Sequence, residues 1–184
     1  MRNRILSAVA ILSTFLAFSC QKGDGEADYG NQYIYIPQAT VSGGIDNLYN
    51  VPSGGAENTL NFRMSETDAD AEVCLGVMLS GKKAGSGFSV GVVVDTDASA
   101  SAAEALGAAV LPASAYDLPS VVNVESGRNS ATFKMLVHKT FIEANSGVYA
   151  LALTLSGPSA YELSSKATSV VVVIDVESLK NYIQ

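Results

Sequence analysis

The sequence predicts an all-β protein of antiparallel strands, packed as a sandwich or a barrel, with one short helix crossing between strands. Three observations carry this expectation. Beyond Tyr33, apolar residues recur mostly with period two, the pattern of strands with one face on a core. Glycine-containing turns separate these runs at fairly regular spacing, as in sandwiches and barrels. Gly, Ala, Ser and Val dominate, with 48% hydrophobic and 16% charged residues. That is apolar enough for a core and too weakly charged for global disorder. The 184 residues suffice for one ordinary domain and fall short of two.

The chain opens on a segment outside this pattern. Arg2 and Arg4 precede an apolar run from Ile5 to Phe18, broken by Ser7, Ser13 and Thr14. At about 14 residues the run is shorter than the ~20 a spanning helix needs, and it fits the apolar region of a signal peptide. Ala17-Phe18-Ser19 lead into Cys20. This resembles the bacterial lipobox, in which the cysteine after a small residue is acylated and becomes the new N-terminus, although Ala17 stands where leucine is usual. Lys22, Asp24 and Glu26 resemble the lysine-plus-acid signal that sends lipoproteins of the Bacteroidetes to the cell surface. Two or more acyl chains give stable attachment, so Cys20 is expected to be the lipid attachment point. A disulfide with Cys74 is the alternative for an exported two-cysteine chain. Position favours acylation, because Cys20 sits at the exit of the apolar run and Cys74 inside a strand pattern. The expected organisation is a signal peptide over 1–19, a flexible acidic tether over 20–32 and a β-sandwich domain over 33–184. No second module is expected after it.

Strands follow in order. Weak ones are expected around Tyr33–Ile36, Leu48–Val51, Thr59–Met64 and Val121–Val124. In "AEVCLGVML", Val73, Leu75, Val77 and Leu79 share one face, with Cys74, Gly76 and Met78 on the other. "FSVGVVVD" aligns Phe88, Val90, Val92 and Val94; "ATFKMLVH" aligns Phe133, Met135 and Val137. "GVYALALTL" aligns Tyr149, Leu151, Leu153 and Leu155, and "TSVVVVIDV" aligns Val170, Val172, Ile174 and Val176. "DTDASASAAEALGAA" breaks the period. It predicts a short helix with Asp97 or Ser101 as N-cap, capping-box spacing from Ser101 to Glu104, and Gly107 as the stop. Two near-duplicates stand out. "SGGIDN" at Ser42–Asn47 and "SGGAEN" at Ser53–Asn58 read as turns. "SAYDLPS" at Ser114–Ser120 and "SAYELSS" at Ser159–Ser165 read as two strand corners, each planting a tyrosine.

The order of these features resembles a known family. "YIPQA" at Tyr35–Ala39 is followed by a valine strand ending in Asp95, a short helix, Leu111-Pro112 and "YDL" at Tyr116–Leu118. A turn at Gly127, "VYALALTL" and a closing valine strand complete it. This is similar to the Bacteroidetes lipoprotein family called domain of unknown function 1735. The family tends to carry a Tyr-Asn pair before its Leu-Pro element, where this chain has Ala105, Leu106 and Gly107. The resemblance implies an immunoglobulin-like β-sandwich on an outer-membrane lipoprotein, associated with polysaccharide-utilisation systems.

Catalytic chemistry is hard to assemble from these residues. The single histidine, His138, falls at a strand end and reads as solvated. Cys74 has apolar neighbours and reads as a small buried core thiol. Asp68, Asp70 and Glu72 alternate, but the sixth and twelfth positions counted from Asp68 are Val73 and Leu79, which fails the hand-type calcium loop. Glu104, Asp117, Glu125 and Glu162 are the carboxylates a glycosidase pair would have to draw on. The Gly-Gly turns are followed by Asp46 and Glu57, the wrong sign for a phosphate nest. The formal charge is −7, and loss of Arg2 and Arg4 leaves nine basic against eighteen acidic residues. Such a surface disfavours nucleic acid and anionic membrane as partners. No cofactor or metal is expected.

The candidate ligand-facing aromatics are Tyr33, Tyr35 and Tyr49, near Tyr29, although packing on neighbouring strands is the plainer role for them. The expected function is a surface-exposed outer-membrane lipoprotein, a non-catalytic binding or scaffold module associated with polysaccharide capture. The alternative is an adhesion or assembly protein docking another surface protein through a strand edge or loop end.

Overall fold

The computed structural model describes residues 31–40, 46–55, 59–81 and 85–183, all within one compact unit, Asn31–Gln184. Strands β1 (Tyr33–Tyr35), β2 (Leu48–Val51), β3 (Phe62–Met64), β4 (Asp70–Leu79) and β5 (Phe88–Val94) come first. Helix α1 (Thr96–Leu106) follows, then β6 (Ala109–Val110), β7 (Tyr116–Asp117), β8 (Val121–Val124) and β9 (Ser130–His138). Helix α2 (Lys139–Ala144), β10 (Val148–Ser156), β11 (Glu162–Leu163), β12 (Ser169–Asp175) and α3 (Val176–Lys180) complete the chain. The strands form two six-stranded sheets. The first runs β11-β1-β4-β9-β7 with β3 beside β4; the second runs β2-β12-β10-β5-β8 with β6 beside β10. The expected sandwich is present.

The predicted faces supply the core. Val73, Leu75, Val77, Leu79, Phe133, Met135 and Val137 of the first sheet meet Val90, Val92, Leu151, Leu153, Val170, Val172 and Ile174 of the second. All are buried, each removing apolar surface from water at about 25 cal/mol per Å². β10 and β12 carry a second buried set, because α1 lies on the outer face of their sheet. Ala98, Ala102 and Ala103 of the helix pack with Ala150, Ala152, Val171 and Val173. Strands covered on both sides read as continuous apolar runs, which accounts for "VVVVI". The small side chains at this contact let the helix lie close to the sheet.

Three details differ from the sequence expectation. Asp95, not Asp97 or Ser101, caps α1: its carboxylate accepts from the Ala98 amide at 2.9 Å. The strand ends at Val94 and the helix starts at Thr96, so the single residue between them takes the capping position. Gly107 ends the helix as expected, at φ +62°. Two further short helices, α2 and α3, lie against each other. Finally, β1–β11, β2–β12 and β6–β10 are parallel pairs. Each involves a short strand that rejoins its sheet after a long connection rather than a hairpin, which permits parallel entry.

Two long strands have an edge built from fragments. Along one edge of β10, β5 pairs with Leu153–Ser156 and β6 with Tyr149–Ala150. Between them the Ala152 amide donates to Ser99 Oγ at 2.8 Å, and its carbonyl accepts from the Asp95 amide at 2.9 Å. Along one edge of β4, β3 pairs with Ala71–Val73 and β1 with Met78 and Leu79. Between them the Cys74 amide donates to the Asn61 carbonyl, and the Gly76 amide donates to Gln38 Oε1 at 3.1 Å.

Candidate functional site

A candidate ligand recess among the described residues is built on the loop after β2. That strand runs into a cis Val51–Pro52 bond, and Gly54 follows at φ +119°. A Cβ on Gly54 would lie 2.3 Å from the Thr59 carbonyl oxygen, so both the close approach and the backbone angle require glycine. Asn61 closes the loop. Its Oδ1 accepts from the Ser53 amide at 2.8 Å, and its Nδ2 donates to the Asn50 carbonyl at 2.7 Å.

A cleft lies on each side of this loop. The larger, about 530 Å³, is open to solvent between Leu60, Phe62, Arg63 and Met64 on one side and Asn181 and Tyr182 on the other. The smaller, about 320 Å³, runs past Asp46, Leu48, Asn50 and Thr59. In the larger cleft, Tyr182 stands edge-on to Phe62, with ring centroids 5.5 Å apart at 81°. Phe62 is 4% exposed and Tyr182 48%: a buried ring holds an open one in place. Arg63 carries the charge here. Its Nε donates to Glu72 at 2.5 Å, and Lys134 Nζ approaches the same carboxylate oxygen at 2.7 Å. Hydrogen bonds from Lys134 and then Arg63 hold the Glu72 carboxyl below its ordinary pKa and keep it ionised.

The three tyrosines singled out from sequence do not gather into one platform. Tyr49 is 9% exposed. Its hydroxyl donates to the Cys74 carbonyl at 3.0 Å, crossing from the edge of one sheet to the other and closing the seam between β3 and β1. Burial, the largest influence, raises its pKa. The ring is committed to the core rather than turned to a ligand. Tyr35 directs its hydroxyl to the Met78 sulfur at 2.8 Å. Tyr33 is half-buried, and its amide donates to Ser80 Oγ. Tyr29, Cys20, Lys22, Asp24 and Glu26 lie outside the described residues.

Cys74 corrects a second expectation: it is exposed, not buried. Odd-numbered residues of β4 enter the core, so the thiol stands on the outer face opposite Lys134 in the neighbouring strand. His138 is half-buried, with Nδ1 2.9 Å from Asp70 Oδ1 and Nε2 3.9 Å from Asp117 Oδ2. Beside it, Lys139 Nζ meets Asp68 Oδ2 at 2.6 Å. These contacts tie β4, β9 and β7 together at one end. Cys74 faces Lys134, whereas His138 lies four residues along β9, a rise of roughly 13 Å. The two therefore form no nucleophile–base pair.

The acidic residues are equally dispersed. Asp117 and Glu162 occupy β7 and β11, at opposite ends of one sheet. Four strand spacings separate them, roughly 19 Å, well beyond the separation of glycosidase carboxyl pairs. Glu104 lies on α1, which covers the other sheet. Among the described residues, no three His, Cys, Asp or Glu side chains gather to hold a metal.

Sequence reading missed Gln38, Asn61 and Tyr182. Gln38 lies inside "YIPQA" and Asn61 follows the second Gly-Gly turn, but nothing local to either position signals its long-range hydrogen bond. Tyr182 gave only the weak signal of an aromatic just past the last helix.

The family model described as "-like, N-terminal domain" matches residues 29–162. No curated protein matches the chain. Among solved structures, it is similar to a two-domain protein of unknown function from Bacteroides fragilis, with TM-score 0.53 and 12% identity over 79% of this chain and 45% of that one. It is also similar to a putative carbohydrate-binding protein from Bacteroides ovatus, with TM-score 0.51 and 15% identity over 78% of this chain and 36% of that one. The aligned region thus spans less than half the length of either structure. At these identities the likeness concerns the fold.

Proposed function

The chain belongs to this N-terminal-domain family, matched over residues 29–162, and from that premise we propose that it is a non-catalytic binding module in glycan capture, carried on a surface-exposed outer-membrane lipoprotein. The observation that carries the reading is the sandwich shared with the putative carbohydrate-binding protein of Bacteroides ovatus. The dispersal of Asp117, Glu162 and Glu104 and the separation of Cys74 from His138 support binding over catalysis. The finer assignment, to the domain of unknown function 1735 family, and lipid attachment at Cys20 belong to the same proposal. They are supported by the charge, apolar-run and cysteine order of residues 2–20 and by Lys22, Asp24 and Glu26 after it.

Affinity electrophoresis of the full chain through gels holding single polysaccharides tests the glycan reading, and at least one polymer is expected to retard the protein. Retardation by none sinks it. For the anchor, Cys20→Ser is expected to move the protein from the membrane to the soluble fraction; a variant that stays membrane-bound refutes lipid attachment there.

A second reading, docking of another surface protein, is favoured by one observation. β8 ends its sheet, and Val121 on it and Val93 on β5 are exposed. Val121→Lys is expected to abolish co-purification of a partner in that case and to leave glycan retardation unchanged.

A further inference from the structure

The geometry points to the cleft between β3 and the turn after α3 as a binding site for a neutral glycan, with a pyranose ring stacked on Tyr182. This assignment rests on the glycan reading above and names where, and with which chemistry, it acts.

Four observations converge on the cleft. First, its aromatic is both fixed and open. Tyr182 is 48% exposed, while the ring it meets edge-on, Phe62, is 4% exposed. A ring that buried packing already orients loses little freedom when a ligand covers its face. Among the described residues, the ring pairs are Phe62–Tyr182, Phe88–Tyr161 and Phe141–Tyr149, which leave out Tyr33 and Tyr35, and Tyr49 lies in the core.

Second, the lining is mixed in the way a sugar needs. Leu60 and Met64 are partly buried and packed against the core, which suits the C–H face of a pyranose. Arg63 and Asn181 line the same recess, and a guanidinium and an amide are side chains that can hydrogen-bond the sugar's hydroxyls. Small-molecule sites commonly combine an apolar surface with a few polar groups in this way.

Third, the charge argues for a neutral ligand. Arg63 is not a lone cation: its Nε is committed to Glu72, which Lys134 also holds. Glu72 is kept ionised by these two partners. The chain as a whole is acidic, with a formal charge of −7. A polyanion would approach an acidic protein and meet a cation already partnered by a carboxylate. A neutral sugar meets no such repulsion and can still accept hydrogen bonds from the guanidinium, which has five N–H donors.

Fourth, size and shape fit a polymer segment. About 530 Å³ lies inside the ordinary range of ligand clefts. The recess opens to solvent between two chain segments rather than closing over, so a sugar within a longer chain can enter without a free end.

The chain contains no tryptophan, which supplies the test. Tyr182→Trp keeps an aromatic platform and installs the sole indole as a reporter at the site. The full-length protein is titrated with mannan, xylan and dextran as neutral polymers and with polygalacturonate as the acidic one. A neutral polymer is expected to shift the indole emission and to retard the wild-type protein in affinity gels. Tyr182→Ala is expected to weaken that retardation about tenfold, Asn181→Ala to weaken it less, and Tyr33→Ala to leave it unchanged. Binding is expected to be insensitive to 0.5 M salt.

If wild type binds a neutral polymer and both Tyr182→Ala and Asn181→Ala bind equally well, the site is wrong and the glycan reading stands. If only polygalacturonate binds, and salt releases it, the neutral class is wrong. If no polymer binds wild type, the glycan reading itself fails, and this site with it. Should Tyr182→Ala fold poorly, a silent indole in well-folded Tyr182→Trp at polymer concentrations that retard wild type overturns the site on its own.

Discussion

Ser99→Ala should destabilise the protein by more than the loss of one oxygen atom suggests. Ser99 is 0% exposed. Its hydroxyl donates to the Asp95 carbonyl at 2.6 Å and accepts from the Ala152 amide at 2.8 Å. The second bond decides the magnitude. Ala152 lies mid-way along β10, where β5 has ended and β6 has not begun, so the hydroxyl stands in for a missing neighbouring strand. Alanine would leave that amide buried without an acceptor, a cost of about 1–3 kcal/mol. Alanine is also the better helix former by about 0.5 kcal/mol, and the change leaves almost no cavity. The expected net loss is about 1.5 kcal/mol, read as a fall of roughly 3–6 °C in Tm for a domain of this size. Urea titration followed by far-UV circular dichroism measures it, with the slope m unchanged if only the native state is affected. A variant as stable as wild type would refute the idea that this hydroxyl completes the sheet edge.

Three further outcomes follow from the same geometry. Gly54→Ala forces a Cβ to within 2.3 Å of the Thr59 carbonyl, so it should cost about 1–3 kcal/mol and alter the loop between the two clefts; denaturant titration checks the first effect and amide chemical shifts of residues 53–61 the second. Glu72 has a folded pKa below its ordinary value of 4.5, so its stabilisation is complete above that pH and is lost as pH falls through the depressed value. Glu72→Gln should therefore flatten the acid limb of a Tm-versus-pH curve, and an unchanged limb would show that the Arg63–Glu72–Lys134 cluster does not contribute. In a Cys20→Ser background, Cys74 should react with a thiol reagent without denaturant, because its side chain is exposed; reaction only after unfolding would contradict its position on β4.

Much of the sandwich could be read from alternation. The inward residues of β4, β5, β9, β10 and β12 are those that period two selects, because that period is a local property of the extended backbone. Gly107 was legible as a helix stop for the same local reason. Asp95 was not legible as the cap, since the pattern of a valine strand does not show whether the next residue extends the strand or starts the helix. The echo between "SAYDLPS" and "SAYELSS" has a structural counterpart: β7 and β11 close opposite ends of the same sheet. The other echo falls partly outside the described residues, which stop at Thr40, resume at Asp46 and omit 56–58.

The cleft was far less legible. Tyr49 carries an aromatic beside a turn, just as a ligand-facing residue would, yet its hydroxyl answers a carbonyl 25 positions away on the other sheet. Tyr182 has no periodic context, and its setting depends on Phe62, 120 residues earlier. Cys74 reads as a core residue among apolar neighbours until the strand's face is assigned. The sequence by itself determined the β class, the faces of the long strands and the place of the helix, because these follow from local periodicity and capping. Only the tertiary structure decided which sheet the helix covers, which short strands join in parallel, and that Gln38, Asn61 and Ser99 fill gaps in sheet edges. Those are pairings between residues distant in the chain, where each partner is chosen by what the rest of the fold leaves unbonded.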